Sequence, residues 1–131
     1  MQLSKFTDYA FRALIYLANN KDDNATVDKL ATELEISEHH LKKIINKLAK
    51  TEYVISVKGR NGGLKLGLDP KDINLGKILL ITEENLTLVE CMDRPELCPL
   101  MSQGCKLKGI ISQSLTHFVE EMSKYTLEDL L

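Results

Sequence analysis

Hydrophobic side chains recur at helical spacing in three segments near the N-terminus. Residues 3–19 predict a helix with one apolar face, which carries Phe6, Ala10, Ala13, Leu14 and Leu17. After a polar break at residues 19–24, Thr26 offers an N-cap for a second helix, whose apolar positions are Val27, Leu30, Ala31 and Leu34. Ser37 offers a cap for a third, with Leu41, Ile44, Ile45 and Leu48 at the same spacing. Two short helices joined by a tight turn indicate a helix-turn-helix, although any helical bundle contains such hairpins.

The pattern then changes to short segments rich in β-branched residues. Residues 53–58 predict a strand, residues 59–63 a glycine-rich turn, and residues 64–68 a return strand. A hairpin with a basic tip directly after a helix-turn-helix is typical of a DNA-binding wing. The alternative is an ordinary hairpin whose glycines serve only the turn.

Two further helices are expected towards the C-terminus. One lies near residues 73–82, and a long one spans about residues 106–124. On the long helix, apolar side chains cover about half the circumference, namely Leu107, Ile110, Ile111, Leu115, Phe118, Val119 and Met122. Packing on one neighbour needs only a single stripe, so this width predicts a second packing surface, with a dimer partner as its source. Residues 126–131 are expected to add one helical turn.

These elements predict a mainly α fold with a small β-hairpin. Residues 1–70 are expected to form a winged helix-turn-helix DNA-binding region, and residues 71–90 a connecting helix and linker. Residues 91–105 form a cysteine loop, and residues 106–131 a dimerisation helix with a C-terminal tail.

Charge is distributed unevenly along a chain whose net charge is only −2. Residues 38–65 carry seven basic and two acidic side chains, whereas the segments on either side are acidic. A basic segment in an acidic chain suits local contact with a polyanion, although a lysine-rich solvated helix face gives the same count. The composition is globular, with no apolar run near the roughly 18 residues of a membrane span and no secretory leader. We therefore expect a soluble cytoplasmic protein with no membrane partner.

The start of the third helix and the hairpin tip supply the candidate DNA contacts. A recognition helix reads the major groove with side chains near its N-terminus, while lysines and backbone amides hold phosphates. Arg60 at the hairpin tip suits a narrow minor groove. The predicted DNA-binding residues are Ser37, His39, His40, Lys42, Lys43, Lys47, Lys58, Arg60, Asn61 and Gly62.

Three cysteines, Cys91, Cys98 and Cys105, are separated by six residues each. Their odd number argues against a disulfide framework, and the absence of a tight pair gives zinc no support. Three thiolates hold an iron–sulfur cluster when a fourth ligand comes from elsewhere, but free cysteines also serve as small buried hydrophobes. No nucleophile–base arrangement indicates an enzyme.

The chain resembles the winged-helix repressors that sense iron–sulfur status or nitric oxide, a family that includes IscR and NsrR. The resemblance rests on residues 1–10 with 12–14, residues 40–48, residues 59–67, the cysteine loop and residues 125–130. In detail it is closest to the NsrR-like, nitric-oxide-sensing branch. It implies a homodimer formed through the long C-terminal helix, a palindromic double-stranded DNA operator, and one 4Fe–4S cluster per subunit.

The resemblance also implies the ligands of that cluster. They are Cys91, Cys98 and Cys105, with Asp8 of the partner subunit as the fourth. IscR-like members have a histidine three residues after the last cysteine, where this chain has Lys108. An iron–sulfur homeostasis regulator, a 2Fe–2S redox sensor and a metal-free thiol switch remain alternatives.

Asp8 also stands one helical turn before Arg12. An exposed ion pair at this spacing contributes only about 0.3–0.5 kcal/mol and would account for both residues. Arg12 is also a candidate switch residue, which holds Asp8 when the cluster is lost.

Overall fold

The computed structural model describes residues 1–60 and 62–131 of the chain. The predicted fold class is confirmed, because this part of the chain contains six α-helices and one two-stranded hairpin. The helices are α1 (Lys5–Asn19), α2 (Val27–Leu34), α3 (Glu38–Ala49), α4 (Leu75–Thr82), α5 (Glu90–Asp93) and α6 (Leu107–Met122). The strands are β1 (Val54–Val57) and β2 (Gly63–Leu66). Short 3-10 turns cover Pro70–Asp72, Pro95–Leu97, Met101–Gln103 and Leu127–Leu130.

Side-chain caps set where the first three helices begin. The hydroxyls of Thr26 and Ser37 accept backbone N–H groups of Lys29 and His40, as predicted. Ser4 does the same for Thr7, so α1 begins two residues later than the periodicity predicted. Glu35, in the left-handed region with φ +54°, ends α2 and turns the chain into α3.

The core lies between α1, α2, α3, α4 and the hairpin. Ala10, Ala13, Leu14 and Leu17 of α1 are buried against these elements, as predicted. All four predicted apolar positions of α3 are buried, whereas Phe6, Val27 and Leu34 are half-buried at the edge of the core. Periodicity therefore predicted the inward faces of these helices correctly.

The hairpin is shorter than predicted and is tied to the loop between α1 and α2. Its antiparallel register runs from Val54 opposite Leu66 to Val57 opposite Gly63. The Leu64 N–H donates to the Ala25 carbonyl at 2.7 Å. Gly63 permits this approach, because its φ is +156° and a Cβ atom there would lie 2.7 Å from the same carbonyl oxygen.

Helix α6 is attached to α4 at its C-terminal end. Asn74 donates its side-chain amide to the Ser123 carbonyl at 2.7 Å, and Leu75 N–H donates to the Tyr125 carbonyl. Gly76 brings the two helices into contact, since a Cβ atom there would lie 1.8 Å from Ser123 Oγ.

Elsewhere α6 is poorly covered by its own chain. None of its residues is fully buried, and Leu107, Ile110 and Phe118 are 56%, 60% and 40% exposed. The predicted second packing surface is therefore accessible, while its occupation by a partner stays a prediction. No helix in the described residues has the length and apolar character needed to cross a membrane.

We predict that Gly76→Ala destabilises the fold by about 1–2 kcal/mol, because the added methyl meets the Ser123 backbone, whose Cα would lie 2.9 Å away. Gly109→Ala is the matched control, since the structure shows nothing within 4 Å of a Cβ atom there. Alanine in that helix should stabilise by about 0.5–1 kcal/mol. Urea unfolding measures both changes, and equal effects at the two glycines would contradict this account of the α4–α6 contact.

Candidate nucleic-acid interface and cysteine site

The solvent-facing side of α3 carries most of the predicted recognition residues. His39, Lys42 and Lys43 are exposed, opposite the buried face of the helix, and the Ser37 hydroxyl caps the first turn. Asn46 is exposed on the same face, four residues after Lys42 and three after Lys43. A side-chain amide can hydrogen-bond the edge of an adenine. Asn46 is not among the residues predicted from the sequence, because those were chosen mainly by charge.

Two other predicted DNA contacts of α3 lie against neighbouring elements. His40 is half-buried, with its ring centroid 5.2 Å from that of Tyr9 and 6.4 Å from that of Phe6. Lys47 places its Nζ 3.4 Å from Glu84 Oε1 and 5.6 Å from the Phe6 ring centroid. Both side chains thus connect α3 to α1 or to the segment after α4, and their contact with DNA stays a prediction.

The hairpin tip has exposed basic side chains and a tight turn. Lys58 and Arg60 are exposed, and Gly62 N–H donates to the Gly59 carbonyl at 2.9 Å. A Cβ atom on Gly62 would lie 2.1 Å from the Val57 carbonyl oxygen, so this turn requires glycine. The predicted contact through Asn61 lies outside the described residues.

The three cysteines lie half-buried along a loop of short helical turns. All three are free thiols, which leaves them accessible as soft ligands for iron. Within residues 1–60 and 62–131, however, no three His, Cys, Asp or Glu side chains come together as a metal site. The donor chemistry therefore fits an iron–sulfur cluster, while the ligand geometry is not assembled within one subunit.

Asp8 and Arg12 form the expected ion pair on the surface of α1. Arg12 donates from Nε to Oδ1 at 3.1 Å and from a terminal nitrogen to Oδ2 at 2.9 Å. Both side chains are about half exposed, and the guanidinium carbon lies 5.3 Å from the Tyr9 ring centroid. An exposed pair of this kind is weak enough for Asp8 to exchange Arg12 for another partner.

Glu83, which the sequence analysis did not single out, holds the N-terminus of α1. Its Oε2 accepts from Ser4 N–H at 3.0 Å, Ser4 Oγ at 3.1 Å and Thr7 Oγ1 at 2.7 Å. Burial disfavours the charged form, but the hydrogen bonds from Thr7 and Ser4 outweigh it and bring the pKa of Glu83 below its usual value. A separation of 79 residues leaves no local signal for this contact.

A family model named Rrf2, described as an iron-dependent transcriptional regulator, matches residues 3–131. The chain belongs to the Rrf2 family. The HTH-type transcriptional regulator NsrR of Halalkalibacterium halodurans is 41% identical over 132 residues, covering 100% of this chain and 90% of the relative. The regulator of the same name from Bacillus subtilis is 37% identical, again covering 100% of this chain and 90% of the relative.

Solved structures share the fold of this chain. IscR of T. potens superposes with a TM-score of 0.78 at 24% identity, covering 99% of this chain and 85% of that protein. CymR of B. subtilis, called the global cysteine regulator, gives a TM-score of 0.66 at 25% identity, covering 99% and 95%. The chain is thus a transcriptional regulator with a winged helix-turn-helix and not an enzyme, as the sequence analysis expected.

We predict that Glu83→Gln lowers the free energy of unfolding at pH 7 by about 1–2 kcal/mol, because three donors lose an ionised acceptor. The folded pKa of Glu83 lies below the value of 4.5 that applies without its partners. The benefit of the charge is therefore present above that value and is lost as the pH falls through the folded pKa.

Urea unfolding of both proteins at pH 7 and near pH 3 measures this difference. The difference in unfolding free energy between wild type and Glu83→Gln should narrow at the lower pH, whereas Glu84→Gln, whose side chain is 84% exposed, should change little at either pH. An equal difference in unfolding free energy at both pH values would show that the charge of Glu83 contributes nothing to stability.

Proposed function

We propose that this regulator is a homodimeric repressor whose binding to a palindromic operator is controlled by an iron–sulfur cluster that senses nitric oxide. The observation that carries the proposal is that two parts of the chain offer side chains that can bind iron. Three free thiols share one loop, and Asp8 is held at the surface by its exposed pair with Arg12. Full-length similarity to regulators named NsrR supports the nitric-oxide branch over other members of the family. Such a repressor works in the cytoplasm, where its operator is.

DNA binding is assigned to the exposed face of α3 and to the hairpin tip. Ser37, His39, Lys42 and Lys43 meet base edges and phosphates in the major groove, while Lys58 and Arg60 reach the neighbouring backbone or minor groove. Gly62 lets the turn approach the DNA closely, and Asn61 is proposed as a further DNA contact. His40 and Lys47 would act mainly by holding α3 against α1, given their contacts with Tyr9, Phe6 and Glu84.

Dimerisation is assigned to α6. Its exposed apolar side chains include Leu107, Ile110 and Phe118, which a single subunit leaves in water. Burying them against the same helix of a second copy would place two recognition helices on one face, as a palindromic operator requires.

The cluster, one 4Fe–4S per subunit, would be held by Cys91, Cys98 and Cys105 together with Asp8 of the partner subunit. When bound, it would supply iron that reacts with nitric oxide, and the carboxylate of Asp8 would be a weaker ligand for that iron than the thiolates. Arg12 then acts as the competitor: its guanidinium engages both carboxylate oxygens of Asp8, so this carboxylate cannot serve Arg12 and iron fully at once. The state of Asp8 thereby decides whether α1 is tied to the partner's cysteine loop.

We predict that Lys42→Ala and Arg60→Ala each weaken operator binding about tenfold and reduce the dependence of log affinity on log salt by about two units, because the homodimer loses one phosphate contact in each subunit. Lys77→Ala, an exposed lysine on α4, is the control and should change neither quantity. Fluorescence anisotropy at several salt concentrations measures both, on a duplex that the wild-type protein selects from a random pool. Equal losses for all three variants would count against α3 and the hairpin tip as the interface.

We also predict that ligands from two subunits complement each other. A mixed dimer of one Asp8→Ala chain and one Cys98→Ser chain contains one complete ligand set only if Asp8 serves its partner. After anaerobic reconstitution the mixed dimer should hold half of the wild-type iron and lose it at the wild-type rate. The mixed dimer is isolated through different affinity tags on its two chains. Both homodimers should lose their iron faster or bind none. A mixed dimer no better than the homodimers would place Asp8 outside the partner's site.

A further inference from the structure

The N-terminus of α1 depends on one carboxylate from the far end of α4. Glu83 is the C-cap residue that directly follows α4, and its Oε2 accepts hydrogen bonds from the backbone N–H and hydroxyl of Ser4 and from the hydroxyl of Thr7. A carboxylate at the N-terminus of a helix is also favoured by the helix dipole. Thr7 is fully buried, so its hydroxyl has no water to replace Glu83.

Asp8 follows directly on this anchored turn. Its backbone N–H donates to the Ser4 carbonyl at 3.0 Å, and Ser4 is itself held by Glu83. The Asp8 side chain, by contrast, is about half exposed and pairs with Arg12 of its own helix. The placement of the Asp8 carboxylate therefore depends on the backbone turn that Glu83 secures.

Glu83 ties that turn to the scaffold that carries the cysteines. Helix α4 is joined to α6 through Asn74, Leu75 and Gly76, and the chain after Glu83 leads within eight residues to Cys91. Helix α6 is also the proposed dimer helix. The Glu83 carboxylate thus connects the turn that precedes Asp8 to α4, and through α4 to the proposed dimer helix α6.

We propose that Glu83 is a positioning residue for Asp8, which sets the carboxylate at the place and orientation needed to reach the cysteine loop of the partner subunit. The inference rests on the proposed function, because it takes Asp8 as the residue that meets that loop. The next residue offers a contrast, since Glu84 pairs with Lys47 on α3 instead of with the first turn of α1.

Disulfide trapping tests this placement without any cluster. Asp8→Cys is introduced into chains that keep only one of Cys91, Cys98 and Cys105, with the other two changed to serine. The dimers are oxidised with diamide, and the rate of disulfide formation between subunits is followed on non-reducing gels. We expect at least one of the three cysteines to trap the thiol introduced at position 8, because the proposal places that position beside the partner's loop. Trapping would show a close approach, since a disulfide needs Cα atoms within about 7 Å.

Removing the anchor should slow trapping on the responsive background. We expect Glu83→Ala to slow it about tenfold or more, because small misplacements of reacting groups cost that much in rate. Glu83→Gln should recover part of the rate, since its amide oxygen still accepts. Thr7→Val, which removes one donor and keeps the shape, should slow trapping by a smaller factor. Glu84→Ala is the matched control and should trap at the unaltered rate.

The outcomes separate the two proposals. If the thiol introduced at position 8 traps no loop cysteine while Glu83 is intact, the proposed function fails at the Asp8 site. If trapping occurs and Glu83→Ala and Thr7→Val leave its rate unchanged in folded protein, the positioning role of Glu83 is overturned. Circular dichroism checks folding, and if Glu83→Ala does not fold, Glu83→Gln and Thr7→Val decide: unchanged rates in both overturn the inference, and slowed rates support it.

Discussion

The packing of α1 against its neighbours is the constraint on which the rest of the structure depends. Ala10 and Ala13 of α1 are fully buried, and this helix contacts both α3 and α4. The same helix contacts β2 and the C-terminal turn at Leu127–Leu130. Helix α1 also carries Asp8 and Arg12 on its exposed side. A change of partner at Asp8 therefore takes place on a helix against which α3 and α4 both pack.

Aromatic and charged contacts join α3 to this framework. His40 packs against Tyr9 and Phe6, while Lys47 lies between the Phe6 ring and Glu84. The orientation of α3 is therefore set mainly by aromatic side chains of α1, while the other face of α3 stays open for DNA. A regulator can change its fit to two half-sites by small movements at such contacts, since half-site spacing is a strict geometric requirement.

Features set by local periodicity and capping could be predicted from the sequence, and features set by distant pairs could not. The buried positions of α3 and the caps at Thr26 and Ser37 follow from spacing within one turn. Glu83 and the Gly76–Ser123 contact join residues far apart in the chain, so no pattern announces them. Basic character placed both Lys42 and Lys47 among the expected DNA contacts, although Lys42 is exposed and Lys47 pairs with Glu84 in the fold. The cysteine site was inferred from resemblance, because its ligands are not gathered within one subunit in the part of the chain that the structure describes.

In the proposed function, nitric oxide controls DNA binding through iron held by this chain. The most direct measurement is anaerobic fluorescence anisotropy of the iron-loaded wild-type dimer on its operator, with nitric oxide added in steps. We predict tight binding at the start and full release at a few molecules of nitric oxide per subunit. Binding that persists at a large excess of nitric oxide, or iron-free protein that binds the operator equally tightly, would contradict the account and leave the cysteines as a metal-free thiol switch or as packing residues.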